Sequence, residues 1–179
     1  MAETPARNNF NAFEKLGDGH DYVSKILEVI EHIRLFEDFG HDEIAVLARY
    51  LRCYRVDHGV EIIHEGESGD FMILIIEGSV EILKIDPRGL PQRLAVAGPG
   101  KTLGEMSLID GEPRFASCVS QEPLVFAVLD REALIRLVSE EPKIGVKILM
   151  ELLMLLNQRL RSVSGELMKC LENQRLRIR

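Results

Sequence analysis

The chain has no tryptophan, three tyrosines and an aromatic fraction of 6% in 179 residues. A core with so few large rings must be filled by aliphatic side chains, and hydrophobic residues at 46% of the total supply them. Positive charge is in deficit: 22 lysines and arginines face 29 aspartates and glutamates, a formal net charge of -7. A molecule of that sign repels a phosphodiester backbone, which excludes non-specific nucleic-acid binding unless a basic face is segregated. The one basic cluster, Arg175, Arg177 and Arg179, reads as a favourable helix C-terminus. Cysteine is scarce too. Cys53, Cys118 and Cys170 form no C-x-x-C and leave an odd one over, which argues against a secreted disulfide scaffold and for a reducing, cytoplasmic setting. No apolar run approaches the roughly 20 residues of a membrane span, and the polar N-terminus lacks the apolar stretch of an export signal, so no membrane partner is expected.

Several chemistries fall away for want of their residues. His20, His32, His41, His58 and His64 make no H-x-H pair, so no metal is assigned. Ser68 sits in Gly-Glu-Ser-Gly and Ser107 has no neighbouring histidine, which gives nucleophilic catalysis no support. Ala95 to Thr102 imitates a phosphate-binding loop of nucleotide hydrolases. It has alanine where that motif needs glycine, and Leu103-Gly104 where it needs a helix, so Lys101 reads as a solvated loop residue. The chain is expected not to be an enzyme.

What is present falls into four stretches. Residues 1–19 lack periodicity and read as a loose tail. Over 20–52, Val23, Ile26, Leu27, Ile30 and Ile33, then Ile44, Leu47, Ala48 and Leu51, recur at helical spacing and predict N-terminal helices. From 53 to 129, glycine and proline punctuate short apolar runs, which predicts a β-sandwich or small barrel with strands near Cys53–Val56, Glu61–His64, Met72–Ile76, Val80–Lys84, Arg93–Ala97, Ala116–Ser120 and Leu124–Leu129. Met72–Ile76 is apolar on both faces, the mark of a strand covered twice. Asp86-Pro87-Arg88-Gly89 reads as a turn closing an exposed hairpin. From 130 to 179 the helical period returns. Asp130 can cap a helix burying Ala133, Leu134 and Leu137, and Pro142 opens a longer one. Along it Leu149, Leu153, Leu156, Leu160, Val163, Leu167 and Cys170 are spaced four and three in alternation, the seam of a left-handed coiled coil. A parallel homodimer is the favoured reading; the alternative is a helix folded back on its own barrel.

The stretch from Leu103 to Val119 carries the chemistry. Gly104 opens a short helical turn whose backbone N–H groups can converge on an anion, and the planar guanidinium of Arg114 offers two parallel donors to a phosphate. Glu105 would repel that phosphate unless it accepts hydrogen bonds from neutral hydroxyls, as a sugar supplies. Phosphate plus sugar points to a nucleotide. The plainer alternative is an ion pair between Glu105 and Arg114 that merely closes a loop.

Two motifs, Glu65-Gly66-Glu67-Ser68-Gly69-Asp70 through Gly78, and Gly104-Glu105-Met106-Ser107-Leu108 with Pro113-Arg114-x-Ala116-Ser117, resemble those of the cyclic nucleotide-binding domain, over roughly Leu35 to Leu160. The resemblance implies an α+β, mainly β fold: an antiparallel β-roll or jelly roll with N-terminal helices and a long C-terminal dimerisation helix. It implies that Arg114 pairs with the cyclic phosphate of cAMP or cGMP, cAMP being favoured, and that Glu105 accepts the ribose 2'-hydroxyl. Gly104, Met106, Ser107, Phe115 and Ala116 would line the turn, and Leu108 would relay binding to the last helices. Phe115 replaces a usually small residue and either crowds the pocket or points elsewhere. Ile73 stands where an aromatic is often found. Asn157 or Arg161 would read the base. With no helix-turn-helix after the long helix, direct DNA binding is not expected and a separate effector would take the signal. The alternative is a degenerate domain that keeps the fold and the dimer seam without the ligand. Cys118 and Cys170 read as small apolar packing residues.

Overall fold

Apolar side chains crowd both faces of the strand Phe71–Glu77, and the architecture follows from how the two faces are covered. The computed structural model of the chain describes residues 10, 13–18 and 39–177; the helix expected over Val23–Ile33 lies outside them. In chain order the strands are β1 (Glu14–Asp18), β2 (Arg52–Val56), β3 (Glu61–Ile63), β4 (Phe71–Glu77), β5 (Val80–Ile85), β6 (Pro91–Ala97), β7 (Thr102–Leu103), β8 (Ser117–Ser120) and β9 (Leu124–Asp130). The helices are α1 (His41–Ala48), α2 (Glu105–Asp110), α3 (Arg131–Glu140) and α4 (Pro142–Arg177).

Two antiparallel sheets result, one in the order β1-β2-β9-β4-β7 and one in the order β3-β8-β5-β6. Because strand side chains alternate, Phe71, Ile73 and Ile75 of β4 enter the roll interior with Tyr54, Leu124, Phe126 and Val128, while Met72, Leu74 and Ile76 pack outward under the helices. This is the double covering that the Met72–Ile76 run predicts, and the β-roll with a long C-terminal helix is the fold. The turn at Asp86 also forms as expected: the Asp86 carboxylate accepts from the Arg88 and Leu90 amides and closes the β5–β6 hairpin.

One expectation is overturned. Glu14–Asp18, assigned to a loose tail, is a strand that adds an edge to the first sheet by pairing with β2. Its five residues carry no clean alternation, and the pairing partner lies some forty positions away, so local pattern could not reveal it. β7, two residues long, escaped for want of length.

The helices close over the outer face of the first sheet. α1 buries Ile44, Leu47 and Ala48, and the Asp130 carboxylate accepts from the Ala133 amide at 2.7 Å to cap α3. α4 runs 36 residues, about 54 Å at 1.5 Å per residue. Its first turns seat Ile144, Ile148 and Leu152 on the roll, so the helix does fold back on its own barrel at its N-terminal end. Leu149, Leu153, Leu160, Val163 and Leu167 remain exposed on it. Among the described residues no helix is long and apolar enough to cross a membrane.

Lys147 ties α4 to α1, donating to both Glu43 carboxylate oxygens at 2.6 and 2.7 Å and lying 5.3 Å over the Phe39 ring. The Lys147 hydrogen bond, helped by the Gly40 amide, holds the Glu43 carboxyl below its ordinary value of 4.5. A carboxylate with a lowered folded pKa stabilises the fold above its unfolded pKa and loses that contribution as pH falls through the lowered value. Lys147→Met should therefore lower Tm at neutral pH, by a small amount because both partners are partly exposed, and the two melting curves should converge as pH falls below about 4.5, which thermal melts across pH check.

Candidate functional site

Glycines set the geometry of the turn between β7 and β8. Gly104 caps α2 at its N-terminus with φ 88°, and a Cβ there would lie 2.6 Å from Arg114 Nη1 and 2.9 Å from the Phe71 carbonyl oxygen. A Cβ on Gly69 would also collide with the guanidinium. Only glycine at both positions lets Arg114 lie where it does.

Arg114 is 4% exposed. Its Nη1 donates to the Gly104 carbonyl at 3.0 Å, its Cζ lies 4.2 Å over the Phe71 ring, and its Nη2, also buried, has no hydrogen-bond partner among the described residues. No carboxylate of the described residues forms an ion pair with it, and burial pulls its pKa below the ordinary value without neutralising so strong a base. A buried cation with an unmade donor is expensive unless an anion completes it.

Glu105 is 1% exposed and is not paired with Arg114, so the loop-closing ion pair does not form. Its carboxylate accepts from the Thr102 hydroxyl and from Arg159 of α4, Nη1 at 3.0 Å and Nη2 at 3.1 Å, while Nη2 also donates to the Thr102 carbonyl at 2.8 Å. Arg159 was missed in the sequence, where Asn157 and Arg161 stood as the helix residues reaching the site. Both are exposed, and Asn157 bonds back to Leu153 on its own helix. The signal existed: Ile144, Ile148, Leu152 and Leu155 mark the inward stripe of α4, and the next position on it is Arg159.

A second missed residue joins the turn to the C-terminal helices. Arg131, first in α3, donates from Nε to the Leu108 carbonyl and from Nη2 to the Ser107 carbonyl, both at 2.9 Å, which satisfies the open end of α2. Its own amide donates to the Asp70 carbonyl at 2.7 Å. Leu108, the residue expected to relay, is 1% exposed and packs in the cluster that holds Ala133, Leu134 and Leu137.

The remaining predicted residues divide. Ser107 and Ala116 are buried beside the turn, whereas the Met106 side chain is exposed. Phe115 is 57% exposed; Lys84 Nζ lies 4.5 Å from its ring and donates to its carbonyl at 2.7 Å, so the ring points outward and does not plug the interior. Cys118, near Arg114, Glu105 and Arg159, is a buried thiol whose pKa is pushed up to about 12, hence neutral packing as expected, whereas Cys170 is exposed. A cavity of about 330 Å³ has Arg114 in its wall with Glu61, His64, Glu67, Phe71 and the N-terminal Phe10 and Phe13. Arg114 thus faces both this cavity and the Gly104 turn; none of the other predicted ligand residues lines it. Among the described residues no cluster of His, Cys, Asp and Glu could hold a metal.

Residues 55–141 match the family model of the cyclic nucleotide-binding domain. A solved cyclic nucleotide-binding domain from Methylobacillus flagellatus KT is 39% identical and superimposes with a TM-score of 0.81, over 91% of this chain and 92% of that one. A CRP-like cAMP-activated global transcriptional regulator of Mycobacterium tuberculosis is 30% identical over 140 residues, 78% of this chain and 61% of its own length. A cAMP-dependent protein kinase regulatory subunit of Yarrowia lipolytica is 27% identical over 126 residues, 70% of this chain and 30% of its own. This chain therefore spans about three fifths or less of the curated relatives it matches.

Proposed function

Because the chain belongs to the cyclic nucleotide-binding domain family, we propose that it is a non-enzymatic cytoplasmic sensor of a cyclic nucleotide, cAMP ahead of cGMP, working as a homodimer. The observation that carries this is Arg114, a buried guanidinium whose Nη2 has no partner among the described residues, lying against two glycines at which any Cβ would collide with it. The cyclic phosphate is the missing acceptor. Glu105 would take the ribose 2'-hydroxyl: a carboxylate offers about four lone-pair sites, and Thr102 and Arg159 use three. Gly104 and the backbone of Met106, Ser107, Phe115 and Ala116 would line the turn. The preference for cAMP rests on the relatives named for it.

Signalling follows from who holds the turn. Arg159 grips it from α4, Arg131 grips it from α3, and Leu108 is packed under both helices. A ligand that redirects Glu105 or draws α2 inward biases these contacts, and it shifts the helices only by its preference for one arrangement. The signal would pass along the α4 seam to a separate effector, without direct DNA contact.

The degenerate-scaffold reading has one observation in its favour, that Glu105 is already bound by Arg159. Titration calorimetry of the chain with cAMP, cGMP and a cyclic dinucleotide separates the two. The sensor binds cAMP, and Arg159→Met changes its affinity about 5-fold or more in either direction, the scale of a charged hydrogen-bond pair. Binding of none of the three leaves the scaffold; turnover of any makes it an enzyme.

A further inference from the structure

We infer that Phe10, which lies before the matched domain, is a positioning residue for Arg114, holding the guanidinium in place through the Phe71 ring. The inference rests on the reading of Arg114 as the phosphate partner. Phe10 stacks on Tyr54 with centroids 5.0 Å apart and planes at 24°, and meets Phe71 edge to face at 4.7 Å and 70°. Arg114 also lies on the Phe71 ring, its Cζ at 4.2 Å. The contacts form one line, Tyr54 to Phe10 to Phe71 to Arg114.

Arg114 needs this support because its polar anchoring is thin. Among the described residues one hydrogen bond, to Gly104, holds the guanidinium, and one bond fixes a point without fixing a plane. Phe71 supplies the plane, and the Phe10 edge limits how far the Phe71 ring can tilt. The plane decides whether a phosphate meets two donors or one. Phe10 and Phe13 also wall the cavity on which Arg114 opens.

Phe13 provides the control. It packs edge-on against Phe10, Tyr54 and Phe126 but makes no ring contact with Phe71, so its removal loosens the segment without touching the Arg114 stack. The experiment is calorimetric titration of the full chain with cAMP for wild type, Phe10→Ala, Phe13→Ala, Arg114→Lys and the Phe10→Ala/Arg114→Lys double variant. Phe10→Ala should weaken binding about 3- to 10-fold, the worth of one aromatic pair. Phe13→Ala should change it less than about 2-fold despite a comparable fall in Tm, the ring being outside the stack. On the Arg114→Lys background the Phe10 change should add nothing. Phe10→Leu, which keeps bulk and loses the ring edge, takes the place of the alanine variant if that variant does not fold. Equal weakening on both backgrounds, or equal effects of the Phe10 and Phe13 changes, overturns the inference. If wild type binds no cyclic nucleotide, the sensor reading fails, and the Nε–H proton resonance of Arg114, assigned with Arg114→Lys, still decides. It should be ring-shifted and slow to exchange in wild type and Phe13→Ala, and lost in Phe10→Ala; retention there also overturns it.

Discussion

Arg114→Leu should abolish cAMP binding while leaving the unliganded chain at least as stable as wild type, and Arg114→Lys should weaken binding by about 1 to 3 kcal/mol, roughly 5- to 150-fold. The two halves of this result have one origin. Arg114 is 4% exposed, bonded among the described residues by one donor and left there with Nη2 unpaired, so the unliganded fold carries most of the desolvation penalty of a cation. Leucine removes that penalty and keeps contact with the Phe71 face. Lysine retains the charge and loses the fork that matches two phosphate oxygens. Calorimetry and thermal melts on the same samples decide the matter. Unchanged affinity in the lysine variant takes Arg114 out of the site, and a collapse of Tm in the leucine variant makes the guanidinium a structural group instead.

Leu160→Glu with Leu167→Glu should turn a dimer into a monomer of 20.3 kDa in sedimentation, with the roll intact by circular dichroism. α4 carries two stripes. Ile144, Ile148 and Leu152 are spent on the roll, whereas Leu160, Val163 and Leu167 are 57 to 64% exposed at seam spacing. A helix this long, projecting past its last inward contact with an apolar row in water, is marginal alone and gains from a second copy. Burying a leucine is worth about 1.5 to 3 kcal/mol, so removing four side chains per dimer costs at least about 6 kcal/mol, roughly 10⁴-fold in the dissociation constant. Both substituted positions lie outside the roll contacts, so the site should still bind ligand. A sedimentation profile unaltered by the double change sinks the seam.

Periodicity and turn chemistry determined much of this molecule without coordinates. The double-faced run at Met72–Ile76, the Asp86 turn, the Asp130 cap and the Pro142 start are local signals, because the physics behind them acts within a few residues. So was the short helical turn that Gly104 opens, whereas the bond from Arg114 to the Gly104 carbonyl was not.

Tertiary structure decided what passes between distant segments. Whether Glu105 meets Arg114 or Arg159 depends on which way α4 crosses the roll; the inward stripe continues to Arg159, but a list of leucines at seam spacing drew attention to the opposite face. Phe115 could have filled the pocket or left it, and the direction in which its ring leaves the bend before β8, beside Lys84, settled that. Glu14–Asp18 became a strand only because β2 offered an open edge, and Phe10 came to rest on Phe71 only because that strand brings it there. Local sequence specifies the conformation of a segment, but a contact across forty or a hundred residues is fixed by the packing of everything between, and no single stretch of sequence contains it.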